Sequence, residues 1–410
     1  MKGLKFVNDL KLRFSYGQTG NQGIGSYASL SKLSVYNYVF GGAIQTGLAN
    51  DLFSGPANEK LKWETTSAYN LGLDVAMFNN RLNLQVEVYK KITDDLLQNL
   101  IIPSSTGFET KLVNSGSIQN KGLEVTLGGT VMKSKDFEWK SNFNIAFNRN
   151  KILSLSADVT EQYARNISTG DAPFIQTVGK PIGALYGYVE DGYYDNEAEV
   201  RNDPMYTNQG NSIILRTIGE IKYKNLDNDP TAITQSDRTF IGDVNPDYTF
   251  GFTNNFKYKR FDLSVFINGV QGNDIINMNT RFNANLGSNK NITQEMADGA
   301  WAAGQDNSNA TGPKVMRQFF RTIFFSRRFI EDGSFVRVKN ITLGYNLPLK
   351  SKTISAMRVS VGVNNLLTFT NYSGYDPEIN SYGDNPALFG VDLGGYPNSR
   401  TYNLSLRCNF

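Results

Sequence analysis

The segment KNLDNDPTAITQSDR carries Asp227, Asp229 and Asp237 at short spacing. Hard cations such as calcium need several oxygen ligands close together, and carboxylates at this spacing resemble such a loop. A solvated acidic turn is the other use of the same residues. A second group is aromatic. GALYGYVEDGYY places Tyr186, Tyr188, Tyr193 and Tyr194 within one stretch, with Tyr206 and Tyr223 downstream. Flat aromatic faces stack on the apolar C–H surfaces of sugars and have few torsions to freeze, so these four are candidate substrate contacts. Packing of loop against loop is the competing use. The third group is GNQGIGS at 20–26. A phosphate cradle needs a helix N-terminus behind its glycines, and the surrounding pattern is strand-like, so this segment reads as a rim loop.

The missing residue types exclude more. The chain has 410 residues, one Cys and no His. The commonest general base, the commonest metal ligand and every nucleophile paired with His are absent. No Asp/Glu pair is singled out by spacing, and no residue is assigned a catalytic role. The 41 Lys and Arg nearly balance 38 Asp and Glu, for a net charge of +3, and they are scattered, so no nucleic-acid footprint exists. No run reaches the ~18 apolar residues of a spanning helix. A helical membrane protein is excluded, but a β-barrel is not.

The elements that must carry these loops are strands. In NDLKLRFSYG, Leu10, Leu12, Phe14 and Tyr16 share one face, and Lys11, Arg13 and Ser15 share the other. Leu82, Leu84, Val86 and Val88 alternate with Asn83, Gln85 and Glu87. The same period recurs in GLEVTLGGTV, EWKSNFNIAFN, DYTFGFTNNFKYK, FDLSVFING, FVRVKNITLGY, MRVSVGV and the terminal RTYNLSLRCNF. NITQEMADGAWAAG has room for one short helix. Tight turns at 79–80, 133–136 and 259–260 and the LPLKSKTIS connection alternate with long segments at 18–65, 92–117, 150–246, 272–333 and 368–399. A soluble β-sandwich also alternates apolar and polar residues, but structureless loops beyond about 12–15 residues are uncommon there. Outer-membrane barrels have short periplasmic turns and long extracellular loops. About ten strands are expected, with an uncharged face toward lipid, a polar face toward a lumen and aromatics such as Tyr16, Trp139, Tyr248, Tyr258 and Phe261 near strand ends.

Several stretches resemble one family. They include LKLRFSYGQTGNQ, NEKLKWETTSAYNLGLD, VNSGSIQNKGLEV, GKPIGALYGYVEDGYY, IGDVNPDYTFGFTNNFKYKRFDLSVFING, SFVRVKNITLGYNLP and NYSGYDPEIN. Together they resemble SusC/RagA-type TonB-linked outer-membrane transporters of Bacteroidota. The resemblance runs from about Leu10 to Phe410. It implies an all-β fold: the C-terminal part, about ten strands, of a transmembrane antiparallel barrel of about 22 strands with a plugged lumen and long extracellular loops. Residues 1–410 are expected to be this C-terminal part, with plug, TonB-contacting segment and signal peptide absent. The implied activity is import of oligosaccharides or peptides across the cell outer membrane, with no bond broken.

The implied partners are a SusD-type surface lipoprotein, the TonB complex through the plug region, outer-membrane lipid, the barrel assembly machinery and a glycan or peptide substrate. Nucleic acid is not among them. Phe410 would belong to an assembly signal in the closing strand. No cofactor is implied beyond calcium at the acidic loop, where the family often has Gly in place of Pro230. The alternatives are a soluble β-sandwich that binds glycans, which would need charged outward faces, and a glycosidase using Asp and Glu.

Overall fold

The computed structural model describes residues 6–51, 55–156, 159–163, 167, 172–229, 231–283, 291–315, 324–349, 353–383 and 385–410. Ten long strands form one sheet in chain order. They are β1 (Val7–Asn21), β2 (Glu64–Met77), β3 (Leu82–Asp94), β4 (Ser117–Lys133), β5 (Phe137–Ser154), β6 (Tyr248–Tyr258), β7 (Phe261–Gln271), β8 (Phe335–Leu347), β9 (Ala356–Thr370) and β10 (Thr401–Asn409). β1 to β4 pair antiparallel with their neighbours, as do β6 to β10. The short connections pass through positive φ, at 58° for Asn79 and 62° for Asn80, a residue type that tolerates it, and at 52° for Lys259. The Asn8 side chain accepts from the backbone N–H of Asn79 at 2.6 Å and pins the first turn.

Several strands run past the segments where apolar and polar residues alternate. Gln18, Thr19, Gly20 and Asn21 still pair with Ser67, Thr66, Thr65 and Glu64, although both faces are polar there. Backbone pairing does not need an apolar face, so hydrophobic period marks only the part of the strand with one dry side.

Register aligns the apolar residues into rows. Leu12, Leu73, Val86 and Val125 lie opposite one another across β1 to β4, as do Phe14, Leu71, Val88 and Leu123. Leu263, Leu343, Val361 and Leu404 form a row across β7 to β10. These rows are bare: Leu12 is 72% exposed, Leu343 49% and Leu404 78%. A sandwich buries such a face under a second sheet. The other sheets among the described residues have two or three strands and belong to the loops. Aromatic pairs flank the rows. Phe261 and Tyr345 lie 4.6 Å apart near the short turns, and Tyr16 and Tyr69 lie 4.8 Å apart toward the long connections. Trp139 stacks 5.5 Å from Phe256, and its indole N–H donates to Asn254 Oδ1 at 2.9 Å, which satisfies a polar side chain on the apolar face.

The polar face is bridged by ions. Arg13 Nε lies 2.8 Å from Asp74 and its Nη2 lies 2.6 Å from Glu87, two strands away. Gly72 lies between, and a Cβ there would come within 2.8 Å of the guanidinium carbon. Arg358 reaches Asp262 over Gly344 in the same manner.

The chain divides into two compact units. In the first, comprising 1–130, 144–162 and 177–181, the connections add the hairpins Leu33–Phe40 with Ala43–Asn50 and Leu97–Ile101 with Thr110–Asn114. The second comprises 131–143, 163–176 and 182–410. Its main apolar core lies in the loops, where Phe174, Leu185, Ile241, Ile276, Met278, Phe325, Phe329 and Val391 are buried together. The long connections are therefore folded, with short helices such as Glu197–Asn202, Asn211–Thr217 and Gln294–Asp298. The last of these falls within the segment expected to hold a short helix.

Candidate functional site in the loop layer

The loop layer of the second unit holds most of the residues singled out in the sequence. Strand 184–187 pairs with strand 239–243, and strand 190–193 pairs with strand 221–223. Their side chains organise around Arg238. Its guanidinium lies over the rings of Tyr163, Tyr186 and Tyr188 at 5.3, 5.1 and 5.9 Å. Its Nη2 donates to the carbonyls of Ala172 and, at 2.7 Å, Tyr186. A cation held among three aromatic faces gains attraction from each ring quadrupole while its Nη2 stays hydrogen-bonded.

The four candidate tyrosines differ in what they present. Tyr186 is half-buried, edge-on to Phe240 at 5.4 Å. Tyr193 is half-buried, and its hydroxyl accepts from Arg328 Nη2 at 2.9 Å. Tyr188 is 7% exposed and packs against Phe324 at 4.5 Å and Tyr223 at 6.0 Å. Tyr194 is 1% exposed, and its hydroxyl donates to Asp203 Oδ2 at 2.7 Å. Burial pushes the Tyr194 hydroxyl well up, and the adjacent Asp203 carboxylate adds to this. The rings of Tyr188 and Tyr194 are thus taken up by packing, which leaves Tyr186 and Tyr193 nearer the surface. Tyr206 stacks edge-on to Tyr194 at 5.6 Å.

The acidic loop is also organised inward. Asp237 is fully buried and terminates three backbone donors: Leu226 N–H at 2.7 Å, Asp227 N–H at 3.3 Å and Thr234 N–H at 2.7 Å. Burial alone would raise its pKa, but these donors outweigh it and hold the carboxyl below its usual range. Asp229 accepts from the Thr231 N–H at 3.0 Å and hydroxyl at 2.7 Å, and Asp227 accepts from the Asp229 N–H at 2.8 Å. Among the described residues no group of three carboxylates is placed to hold a metal ion, so Asp227, Asp229 and Asp237 do not converge as ligands. The reason is physical: the oxygens serve the turn's own amides. Pro230 lies outside the described residues.

Sequence reasoning did not single out Arg238 or the pair formed by Glu190 and Arg328. Arg328 donates to Glu190 through Nε at 2.9 Å and Nη2 at 2.5 Å, and both side chains are largely buried. Burial opposes the Arg328 charge, but Glu190 outweighs that and holds its pKa above the usual range. The doublet Arg327-Arg328 was the available signal, but lone charges in a long loop read as solvated. A second ion cluster ties the last long loop to the sheet. Arg337 on β8 is 2% exposed and meets Asp376 at 2.6 Å and Glu378 at 2.5 Å.

A sheet with one bare, uncharged, aromatic-flanked face, an ion-bridged opposite face and folded long loops defines the wall of an outer-membrane β-barrel. Residues 3–366 match the family TonB dependent receptor-like, beta-barrel, and the chain belongs to that family. It is 35% identical over its whole length to TonB-dependent receptor P3 of Formosa agariphila and 28% identical to TonB-dependent receptor SusC of Bacteroides thetaiotaomicron. It spans 40% and 38% of those two proteins. It superposes on a chain of the RagAB peptide transporter with a TM-score of 0.79 at 27% identity, covering all of this chain and 42% of that one. The chain is therefore a β-barrel segment of the TonB dependent receptor-like family, similar in sequence to SusC and in fold to a chain of RagAB. In a barrel wall of this kind the bare apolar face is the one suited to lipid and the ion-bridged face the one suited to a lumen. The β-sandwich and glycosidase alternatives fall away, because the sheet leaves its apolar face uncovered and the relatives are named as receptors and transporters.

Proposed function

We propose that this chain supplies the C-terminal wall and outer loops for import of oligosaccharides or peptides, in partnership with a SusD-type surface lipoprotein. The observation that carries the reading is the likeness over the whole chain to a peptide transporter, at 27% identity and a TM-score of 0.79. An oligosaccharide cargo is the other branch that the SusC/RagA-type resemblance of the sequence implies. In this reading the folded loops between β5 and β6 and between β7 and β8 face the cell exterior. Tyr186 and Tyr193 are the candidate cargo contacts there, because their rings are only half-buried. The TonB complex supplies the work through a plug, and Phe410, 86% exposed after the last strand, serves the barrel assembly machinery.

The test uses the native host. A strain lacking the full-length transporter is grown on defined peptides or on single oligosaccharides as sole carbon source, and the surface lipoprotein is sought by affinity purification of a tagged transporter. Loss of growth on one cargo class, restored by the gene but not in a strain without TonB, supports the reading. Growth unaffected on every cargo and no co-purified lipoprotein would contradict it.

A further inference from the structure

A cleft of about 620 Å³ opens between the 188–190 segment, the 240–242 strand and the Arg327-Arg328 doublet. Its charges are unevenly satisfied. Glu190 is taken by Arg328 and by the Ser326 hydroxyl at 2.5 Å. Arg328 is taken by Glu190, the Tyr193 hydroxyl and the Thr311 carbonyl. Arg327 is exposed, and among the described residues its guanidinium makes one hydrogen bond, from Nη1 to the Ile241 carbonyl at 2.7 Å. Asp274 is half-buried and accepts from the Asp243 N–H at 2.8 Å, and among the described residues no ion pair joins it to Arg327. The guanidinium keeps donors in a planar fork, a geometry that matches a carboxylate with two parallel bonds. Around it the walls are apolar: Val189, Ile241 and Phe240, the last 37% exposed.

We propose that this cleft binds the C-terminal carboxylate of a short imported peptide, with Arg327 holding the carboxylate and Phe240 and Val189 receiving an apolar last side chain. The proposal rests on the import reading above. The lining decides between cargo classes. A saccharide brings several hydroxyls, each needing a partner once desolvated. The cleft offers them little, since the Glu190–Arg328 pair is already satisfied. A peptide terminus brings one charge and one apolar side chain, which is what the lining can accept.

The experiment uses the purified full-length transporter in detergent. The probes are the fluorescent N-dansyl peptide Ala-Leu-Leu as free acid and as C-terminal amide, with a trisaccharide of glucuronic acid as a further arm. Wild-type protein should bind the free acid at least tenfold tighter than the amide. Arg327→Gln should erase that preference, bringing the ratio near one, while Arg327→Lys keeps part of it because the charge remains. Heat-modifiable migration confirms that each variant is folded, and the Lys variant carries the test if the Gln variant is not. Equal binding of acid and amide by the wild type would overturn the proposal, as would an undiminished preference in Arg327→Gln. Tighter, Arg327-dependent binding of the glucuronic acid trisaccharide would overturn the peptide assignment in favour of an acidic sugar. TonB-dependent growth on cargo, measured separately in the same strains, tells failure of this cleft from failure of the import reading.

Discussion

Replacing Arg337 by Met removes a cation that is 2% exposed and leaves Asp376, with its side chain 6% exposed, without its partner. The other contacts of Asp376 are the backbone N–H groups of Glu378 and Asn398, both at 2.9 Å. These keep the carboxylate solvated in part but do not cancel its charge. Breaking a buried pair from one side costs about 3–5 kcal/mol. The discount for exposure is small for Asp376 and larger for Glu378, which is 26% exposed, so the lower end applies. The strain falls on the loop between β9 and β10, which the pair fastens to β8. A loss of about 3 kcal/mol raises the open population of that loop by roughly two orders of magnitude, at 1.4 kcal/mol per decade. Limited proteolysis of the full-length protein in detergent reads this directly, because cleavage tracks the open fraction when reclosing is fast. Cleavage within 371–399 should accelerate about a hundredfold in Arg337→Met. In the triple variant that adds Asp376→Leu and Glu378→Gln it should fall back toward the wild-type rate, since no buried charge remains. An acceleration under threefold, or a triple variant no better than the single, would refute the latch.

The acidic turn should respond to pH. Asp237 has a lowered pKa in the fold, so its contribution is complete above the unfolded carboxylate value near 4 and is lost as pH falls through the folded value; hydrogen exchange at Leu226 and Thr234 should quicken below about pH 4, and Asp237→Asn should show fast exchange at pH 7 already. Gly72→Val places a Cβ where Arg13 crosses, so the link to Glu87 should break and the melting temperature of the folded barrel should drop, while Gly17→Val, which meets nothing within 4 Å, should leave it unchanged. Deleting Phe410 should lower the amount of transporter in the outer membrane without lowering its synthesis, measured by immunoblots of fractionated cells. Unchanged outer-membrane levels would remove the assembly role.

The wall was legible because lipid imposes a simple rule. Leu404 and Leu406 face one way and Ser405 and Arg407 the other, and no loop can disturb a two-residue period inside a paired strand. Even the alternation of short and long connections followed from residue types such as Asn79-Asn80. The loops were not legible. Tyr188 and Tyr194 carry the same side chain as Tyr186, and only tertiary packing against Phe324 or Asp203 tells a buried ring from one near the surface. The acidic spacing around Asp227 resembled a cation site because a turn that binds its own amides uses the same residues as one that binds an ion. The hairpin at 33–50 went unnoticed because it lies in a connection and its apolar residues, such as Val39 and Ile44, sit outside the wall.

The central claim is that the bare apolar face meets lipid and the ion-bridged face meets the lumen, and two adjacent substitutions test it most directly. Leu404 is 78% exposed on the first face, and Ser405 lies on the second, paired with Ser360. An Arg at the lipid midplane costs about 2–4 kcal/mol, whereas an Arg in a watery lumen costs little. In the full-length transporter, Leu404→Arg should reduce the heat-modifiable, membrane-inserted fraction severalfold, and Ser405→Arg should leave it at the wild-type level. Equal insertion of the two variants, or greater loss from Ser405→Arg, would contradict the account.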